Sequence, residues 1–236
     1  MMSVTGGTPK ELLPLGSKPV LARVVEEARE GGMDGVVIIN SRNKTEVDDA
    51  IDEWSGTLFA DIPLRVSYQE EPRGLAHAVA AALVEDDALV MVGDVVYQGG
   101  SPSERMMNLV FRGIDGCVAV ELVSADEMHL YGIVEINDMT GSIIQILEKP
   151  SVDETHSRWA VAGRWAFNKN AMALLADYCE DPVRLSQPKE INLTEVINAA
   201  IAHGMDFKAV ALQPNQQRVD CGSAQEYAVA KRLQWD

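Results

Sequence analysis

The alternation of strand-like and helix-like segments constrains the fold of this 236-residue chain more than any other feature of its sequence. Short apolar runs that are typical of buried strands span residues 35–40, 64–68 and 88–92. Segments with apolar residues at helical spacing span residues 19–30, 45–54 and 74–84. Strands and helices that alternate in this order predict an α/β fold with a doubly wound sheet.

The middle of the chain has a different pattern, in which strand-like runs follow one another after a helix-like segment at 103–112. These runs span residues 116–122, 131–136, 142–148 and 159–167. A hairpin turn is predicted at Asn137–Gly141, with Gly141 at positive φ. The last third returns to helix and strand patterns, with helices at 171–178, 194–203 and 223–233 and a strand at 207–212. We therefore predict one α/β domain over residues 1–236, with a β-rich insertion.

The charge of the chain is strongly acidic, with 36 Asp and Glu against 20 Lys and Arg and a formal net charge of -16. A surface that binds nucleic acid or an anionic membrane needs a basic face, so neither partner is expected. The acidity favours solubility and is also typical of proteins from a salty cytoplasm, and the composition is compatible with both explanations.

Cysteine and histidine usage argues against disulfides and structural zinc. The three cysteines form no CxxC pair, and the four histidines show no HxxxH or Cys/His cluster. No apolar run reaches the roughly 20 residues that span a bilayer, and no signal peptide is visible. We expect a cytoplasmic protein, and the sequence leaves homo-oligomer formation open.

Polar residues follow several of the predicted strands, where an open α/β sheet binds its ligands. An aspartate directly after a buried strand, such as Asp94, is suited to hold Mg²⁺, although it could instead cap a helix. The amide of Gln69 can pair with the edge of a pyrimidine, and a glycine such as Gly74 admits a flat base or simply begins a helix. Lys10, next to Pro9, could meet phosphate oxygens or be solvated.

Five segments occur in the order typical of one enzyme family. They are Pro9–Pro19 (PKELLPLGSKP), Tyr68–Val79 (YQEEPRGLAHAV), Leu89–Asp94 (LVMVGD), Tyr131–Val134 with Ile146–Pro150 (YGIV and ILEKP), and Arg218–Ser223 (RVDCGS). Together they resemble the signatures of the sugar-1-phosphate nucleotidyltransferases, also called nucleotide-sugar pyrophosphorylases. The resemblance covers nearly all of the chain. It implies a Rossmann-like, GT-A-like α/β/α fold with a β-rich sugar-binding insertion.

The resemblance also implies which residues bind the nucleotide and the metal. Gln69, Gly74 and Gly93 match nucleotide-binding positions. Asp94 and Asp220 match the two aspartates that bind Mg²⁺, and Lys10 matches a lysine that contacts the reacting phosphates. Many family members have a second acidic residue or Asn directly after the first aspartate, whereas Val95 and Val96 follow here. That departure bears on the packing of the loop and leaves the ligand itself in place.

On the sugar side, the resemblance implies that Glu148 accepts hydrogen bonds from sugar hydroxyls and that Lys149 meets the sugar phosphate. Gly132 and Gly163 match small residues on which the sugar lies. For an isolated Glu-Lys pair, a solvated surface pair beside a turn is the alternative. The segment Lys189–Glu195 resembles the family segment that orders the sugar-side loop.

The activity implied is the transfer of a nucleotidyl group from UTP or dTTP to a sugar 1-phosphate, with glucose 1-phosphate the first choice. The partners are thus a nucleoside triphosphate and a sugar phosphate. The family pattern places a first strand and a Gly-x-Gly-x-Arg loop before the Pro-Lys signature, whereas only residues 1–8 precede it here. We expect either a start that lies late relative to the family or a naturally short form. The alternative function is a non-catalytic or regulatory homologue that binds a nucleotide sugar.

Overall fold

The computed structural model describes residues 7–186 and 189–235, and the chain divides into two compact units. Unit 1 contains the described parts of Met1–Glu70, Met91–Ser101 and Pro214–Asp236. Unit 2 contains the described parts of Glu71–Val90 and Pro102–Gln213. Each unit has its own β-sheet pairing and its own buried apolar residues.

The strands are β1 (Pro14–Leu15), β2 (Lys18–Pro19), β3 (Val36–Asn40), β4 (Leu64–Tyr68), β5 (Ala88–Met91), β6 (Val95–Gln98), β7 (Gly116–Leu122), β8 (Gly132–Ile136), β9 (Ile143–Glu148), β10 (Trp159–Phe167), β11 (Phe207–Ala211) and β12 (Gln217–Asp220). The α-helices are α1 (Val20–Glu30), α2 (Thr45–Gly56), α3 (Leu75–Ala80), α4 (Ser103–Phe111), α5 (Lys169–Glu180), α6 (Pro182–Leu185), α7 (Leu193–Ala202) and α8 (Ala224–Ala230). Short 3-10 helices occupy Lys10–Leu12 and Ala125–Leu130.

Unit 1 contains a parallel β3–α2–β4 arrangement, with β3 and β4 paired from Val36 opposite Leu64 to Asn40 opposite Tyr68. A parallel pair needs a crossover between its strands, and α2 supplies it. The apolar faces of α1 and α2 pack together, and this cluster includes Leu21, Val25, Val47, Ile51 and Trp54. These elements were predicted from the sequence, and each begins within one residue of its predicted position.

A second pair of strands in unit 1, β6 and β12, was not predicted. The two strands run antiparallel, with Asp220 opposite Val95. Val96 and Val219 are 2% and 6% exposed and pack in one cluster with Leu15. The valines that depart from the family pattern after Asp94 thus begin a strand with buried side chains.

The main sheet of unit 2 has the strand order β11-β7-β10-β8-β9, and β5 also pairs with β10. β11 runs parallel to β7, whereas the pairs β7–β10, β10–β8 and β8–β9 are antiparallel. The predicted strands at 116–122 and 159–167 match β7 and β10 at both ends. The hairpin between β8 and β9 is also confirmed, because Gly141 has φ of 70° and donates its N–H to the carbonyl of Asn137 over 2.8 Å.

Close approach of backbone and ring explains one glycine of this sheet. A Cβ at Gly116 would lie 2.7 Å from Cδ1 of Phe207, so only glycine lets that ring pack over β7. The Phe207 ring meets Phe167 edge-on, with centroids 5.9 Å apart. This packing joins β7, β10 and β11 into one core.

Three local predictions differ from the structure. α3 ends at Ala80 rather than near Val84, and Leu83 has a positive φ of 52° that no helix accommodates. Lys10 was predicted in a loop but begins a 3-10 helix, with Pro9 as its N-cap residue. β5 stops at Met91, one residue before the predicted end of that strand, and Asp94 directly precedes the unpredicted strand β6. Among residues 7–186 and 189–235, no helix is long and apolar enough to cross a membrane.

Candidate active site

Asp94 and Asp220 lie next to each other in unit 1 because of the β6–β12 ladder. Asp94 immediately precedes β6, and Asp220 is the last residue of β12, opposite Val95. The backbone N–H of Cys221 donates to the carbonyl of Asp94 over 2.8 Å. The carboxylate of Asp220 is oriented in turn by the N–H of Gly222, which donates to Oδ1 over 2.7 Å. A backbone hydrogen bond between residues distant in sequence therefore fixes the backbone of Asp94, and a local one orients the carboxylate of Asp220.

The two carboxylates converge on Gly222. A Cβ placed on this glycine would lie 3.0 Å from Oδ1 of Asp220 and 3.1 Å from Oδ2 of Asp94. Both distances are tighter than almost all real Cβ contacts, so a side chain here would press on both oxygens. The cradle formed by Asp94, Asp220 and Gly222 leaves two carboxylate oxygens facing the same small space. Two such oxygens, completed by phosphate oxygens and water, suit a divalent cation.

A cationic group already stands at this cradle. The ammonium of Lys10 donates to Oδ2 of Asp94, and the two residues are 84 positions apart. Partial burial opposes the charge of Lys10, but the hydrogen bond and attraction of Asp94, with Glu11 and Asp220, raise the pKa of the ammonium above its ordinary value. Lys10 is therefore paired with the Asp94 carboxylate, and the nearby charge of Asp220 also favours its ammonium form.

A third carboxylate lies at the edge of the cradle. Oε2 of Glu226 would be 3.7 Å from the same Cβ on Gly222. Glu226 is held there by a capping box at the start of α8, in which it accepts the N–H of Ser223 over 2.8 Å. Sequence reasoning missed Glu226, although the Ser-x-x-Glu spacing before a helix is a recognisable signal.

Burial raises the pKa of the Asp220 carboxyl, and the charges of Glu226 and Asp94 add to that shift. The N–H of Gly222 and the charge of Arg218 oppose it. Within the described part of the chain, no group of three or more His, Cys, Asp or Glu side chains has metal-holding geometry. The fit to a metal therefore rests on the Asp94–Asp220 pair, with Glu226 as a neighbouring charge.

Two predicted nucleotide-binding residues also belong to unit 1. Gln69 directly follows β4, and its N–H donates to the carbonyl of Asn40 over 3.2 Å, which extends the β3–β4 ladder by one residue. Gly93 lies in the turn before Asp94, where a Cβ would meet Cδ1 of Leu21 at 3.5 Å. That contact is an ordinary one, so packing alone does not demand a glycine at this position.

Gly74, the third predicted nucleotide-binding residue, precedes α3 in unit 2 and has φ of 95°. A Cβ at this position would lie 2.8 Å from the nitrogen and 2.9 Å from the carbonyl carbon of Ile191. The conformation and the close approach each require glycine. Two roles were predicted for Gly74, access for a base and the start of a helix. The structure shows Gly74 at the start of α3, where the backbone of Ile191 also requires a glycine.

The predicted sugar-side residues surround the β8–β9 ladder of unit 2. Gly132 lies opposite Glu148, and a Cβ on Gly132 would be 3.5 Å from Oε2 of that carboxylate. The same Oε2 accepts the hydroxyl of Thr194 over 3.1 Å. Gly163 has φ of 78° and lies in the stretch between Val161 and Trp165 where the pairing of β10 with β7 shifts register.

Lys149 is exposed and has a positive φ of 50°, which is unusual for a residue with a side chain. Its N–H donates to the carbonyl of Tyr131 over 3.0 Å, which holds the strand end in this conformation. Such backbone strain is often found at functional sites. The structure thus groups Lys10, Asp94 and Asp220 in unit 1. Glu148, Lys149 and three of the predicted glycines belong to unit 2, namely Gly74, Gly132 and Gly163.

Residues 1–234 match the model of the nucleotidyl transferase family. The chain belongs to this family. It is 30% identical over 200 residues to the UTP–glucose-1-phosphate uridylyltransferase YngB of Bacillus subtilis strain 168, and this match covers 74% of the chain and 67% of YngB. It is 25% identical over 256 residues to the UTP–glucose-1-phosphate uridylyltransferase of Pseudomonas aeruginosa, which covers 97% of the chain and 89% of that protein.

Solved structures support the same fold. The UTP-bound UGPase from Acinetobacter baumannii superposes with a TM-score of 0.80 at 25% identity, covering 98% of this chain and 87% of that one. A UDP-glucose pyrophosphorylase complexed with UDP-glucose gives a TM-score of 0.82 at 24% identity, with coverage of 98% and 92%. The predicted Rossmann-like fold is confirmed, and membership of an enzyme family favours catalysis over the non-catalytic alternative.

Proposed function

We propose that this protein transfers a uridylyl group from UTP to glucose 1-phosphate, with Mg²⁺, and releases pyrophosphate. The observation that carries the proposal is the convergence of Asp94 and Asp220 on Gly222, with Lys10 beside them. Relatives named for UTP and glucose 1-phosphate support the choice of substrates. dTTP in place of UTP is the second candidate for the nucleotide, since the sequence resemblance extends to enzymes that use it.

The reaction exchanges one phosphate bond for another. An oxygen of the sugar phosphate bonds to the α-phosphorus of UTP, and the bond from that phosphorus to the oxygen bridging to the β-phosphate breaks. The electron pair leaves with pyrophosphate. The attacking oxygen is already ionised at neutral pH, so no general base is needed. Catalysis therefore consists of holding two anions in line and stabilising the charge that develops.

Asp94 and Asp220 are the residues that would hold Mg²⁺, and Oδ2 and Oδ1 are the oxygens that face the cradle. When bound there, the ion supplies positive charge to the phosphate oxygens of the reacting pair. Lys10 contributes a second positive charge, and its flexible side chain can exchange the contact with Asp94 for one with a phosphate. Lys149 neutralises the phosphate of the incoming sugar.

Recognition of the two substrates falls to other residues. Gln69 carries an amide that can both donate and accept at the edge of uracil. The backbone of Gly74, which Ile191 packs against on the side where a Cβ would lie, is the surface that we propose meets the flat base. On the sugar side, Glu148 accepts hydrogen bonds from hydroxyls, and the bare backbones of Gly132 and Gly163 leave room for the ring.

A substrate panel tests this function. The chain is incubated with Mg²⁺, one of four nucleoside triphosphates and one of several sugar 1-phosphates, and pyrophosphate release is measured. We expect UTP with glucose 1-phosphate to give the highest kcat/KM and EDTA to abolish release. A protein that binds UDP-glucose by calorimetry but releases no pyrophosphate from any pair would support the binding homologue instead.

A further inference from the structure

One segment of unit 2, Ile191–Asn198, contacts both the loop around Gly74 and the carboxylate of Glu148. Its start is bonded to the residues around Gly74 through two backbone hydrogen bonds. The N–H of Ile191 donates to the carbonyl of Arg73 over 2.8 Å, and the carbonyl of Ile191 accepts the N–H of Ala76 over 3.1 Å. Ile191 is buried, and its backbone packs against the Cα of Gly74. The loop that begins α3 therefore depends on Ile191 for its position.

The same segment continues into α7, which reaches β9. Asn192 is the N-cap of α7, and its side-chain oxygen accepts the N–H of Glu195 over 2.9 Å. Asn198, six residues later, bonds to both the N–H and the carbonyl of Ile146, each over 2.8 Å. β9 is the last strand in the sheet order, so these side-chain bonds take the place of a further strand. α7 thus fixes the strand that carries Glu148.

Thr194 connects this helix to the carboxylate itself. Its hydroxyl donates to Oε2 of Glu148. The side chain of Glu148 is exposed and has three rotatable bonds. A free glutamate of this kind samples several rotamers, and ordering it on binding costs free energy. The bond from Thr194 selects one orientation before the ligand arrives, in which Oε2 also lies beside Gly132.

We propose that Ile191–Asn198 is a common support for the two halves of substrate recognition in unit 2, and that Thr194 is the residue that positions Glu148. This inference rests on the proposed function, since it takes Gly74 as part of the nucleotide loop and Glu148 as a sugar-binding group. Two consequences follow. Loss of the Thr194 hydroxyl weakens sugar binding alone, whereas loosening the start of α7 weakens binding of both substrates.

The first consequence is tested by a double-mutant cycle of Thr194→Val and Glu148→Ala. We expect Thr194→Val to raise the KM for glucose 1-phosphate about tenfold and to leave the KM for UTP within about twofold. Thr194→Ser, which keeps the hydroxyl, should restore most of the loss. In the double variant, Thr194→Val should add little to Glu148→Ala, because the hydroxyl acts through that carboxylate. Thr140→Val, in the exposed β8–β9 turn, is the matched control.

The outcomes separate this inference from the proposed function. A raised KM for glucose 1-phosphate in Glu148→Ala, with none in Thr194→Val or with fully additive effects, overturns the positioning role alone. An unchanged KM in Glu148→Ala overturns the sugar-binding role of Glu148 and this inference with it. Calorimetric titration of the same variants with UDP-glucose gives a second readout that does not depend on turnover.

The second consequence is tested with helix caps. Asn192→Ala removes the cap of α7, and we expect it to raise the KM for both UTP and glucose 1-phosphate by about threefold to tenfold. The control is Asn168→Ala, because Asn168 caps α5 of the same unit by the same bond, a side-chain oxygen that accepts the N–H of Ala171 over 2.9 Å. If Asn192→Ala and Asn168→Ala raise both KM values equally, general destabilisation of unit 2 explains the effect. That result would contradict the proposal that Ile191–Asn198 supports both recognition sites.

Discussion

The backbone N–H of Cys221 donates to the carbonyl oxygen of Asp94 over 2.8 Å, although the two residues lie in separate parts of the sequence. This bond continues the β6–β12 ladder beyond the pair formed by Val95 and Asp220. It brings the aspartate that precedes one strand beside the aspartate that ends the other. The geometry of the carboxylate pair is thus set by the register of β6 and β12. We therefore expect small substitutions at the pair to weaken cation binding more than they lower the stability of the fold.

Gly222→Ala tests the cradle directly. Gly222 has no positive φ, so alanine suits the backbone, but its methyl would press on oxygens of Asp94 and Asp220 at about 3 Å. We expect the fold to persist while the apparent affinity for Mg²⁺ falls about tenfold or more. Gly56→Ala is the control, because a Cβ there meets nothing within 4 Å. Metal-dependent shifts in the midpoint of thermal unfolding measure both, and an unchanged shift in Gly222→Ala would contradict the cradle.

Asp220→Asn should stabilise the metal-free protein. Burial, with the charges of Glu226 and Asp94, raises the pKa of the Asp220 carboxyl, so its ionised form costs folding free energy at neutral pH. The amide keeps an acceptor for the N–H of Gly222 and removes that cost. In EDTA at pH 7 we expect a midpoint of thermal unfolding a few degrees above that of the original chain. This gain in stability should shrink as the pH falls through the raised pKa of the folded protein. It should be lost below about pH 3.9, the ordinary pKa of an aspartate in the unfolded chain, and a gain that does not depend on pH would contradict this explanation.

Lys149 combines a predicted phosphate contact with a strained backbone, and two substitutions separate these features. Lys149→Ala keeps the strain, whereas Lys149→Gly relieves it and should stabilise the fold by about 0.5–1 kcal/mol. Both remove the ammonium, so we expect both to lower kcat/KM by about a hundredfold. Urea unfolding and pyrophosphate release measure the two effects. Retention of activity in either variant would remove Lys149 from the phosphate site.

The three thiols should be inert in the folded protein. Cys117, Cys179 and Cys221 are buried, and burial raises the pKa of the Cys117 and Cys221 thiols to about 12 and that of Cys179 to about 11. The thiolate is the reactive form, so Ellman's reagent at pH 8 should label no thiol rapidly. After denaturation all three should react. Rapid labelling of Cys221 in the native protein would show that the strand end beside Asp220 is open.

Local sequence patterns were sufficient for the larger elements. The apolar run of β7 and the helical spacing of α1 predicted those elements closely, because burial of one long segment decides its structure. β6 and β12 could not be predicted in this way. Each has four residues, and each is a strand because of the other, more than 100 positions away. Pairing between distant short segments leaves no periodic signal in either one.

The same distinction between local sequence patterns and long-range contacts applies to the candidate site. Asp94, Asp220 and Lys10 could be selected because the family signatures mark them, but the pairing of Lys10 with Asp94 depends on the folded chain. The requirement for glycine at Gly74 was predicted, whereas the backbone of Ile191 as its cause was not. The contact from Thr194 to Glu148 joins two segments that the sequence analysis named separately. Residue types were therefore predictable, and their partners came from the tertiary structure.

The most direct measurement of the central claim is steady-state pyrophosphate release from UTP and glucose 1-phosphate by Asp94→Asn. The amide preserves the size of the side chain and removes the charge that would hold the proposed cation. Asp49→Asn makes the same change at an exposed position of α2 and is the control. We predict that Asp94→Asn lowers turnover at least about a hundredfold while Asp49→Asn leaves it within about twofold. Turnover by Asp94→Asn equal to that of the unsubstituted chain would contradict the assignment of the metal site to this carboxylate pair.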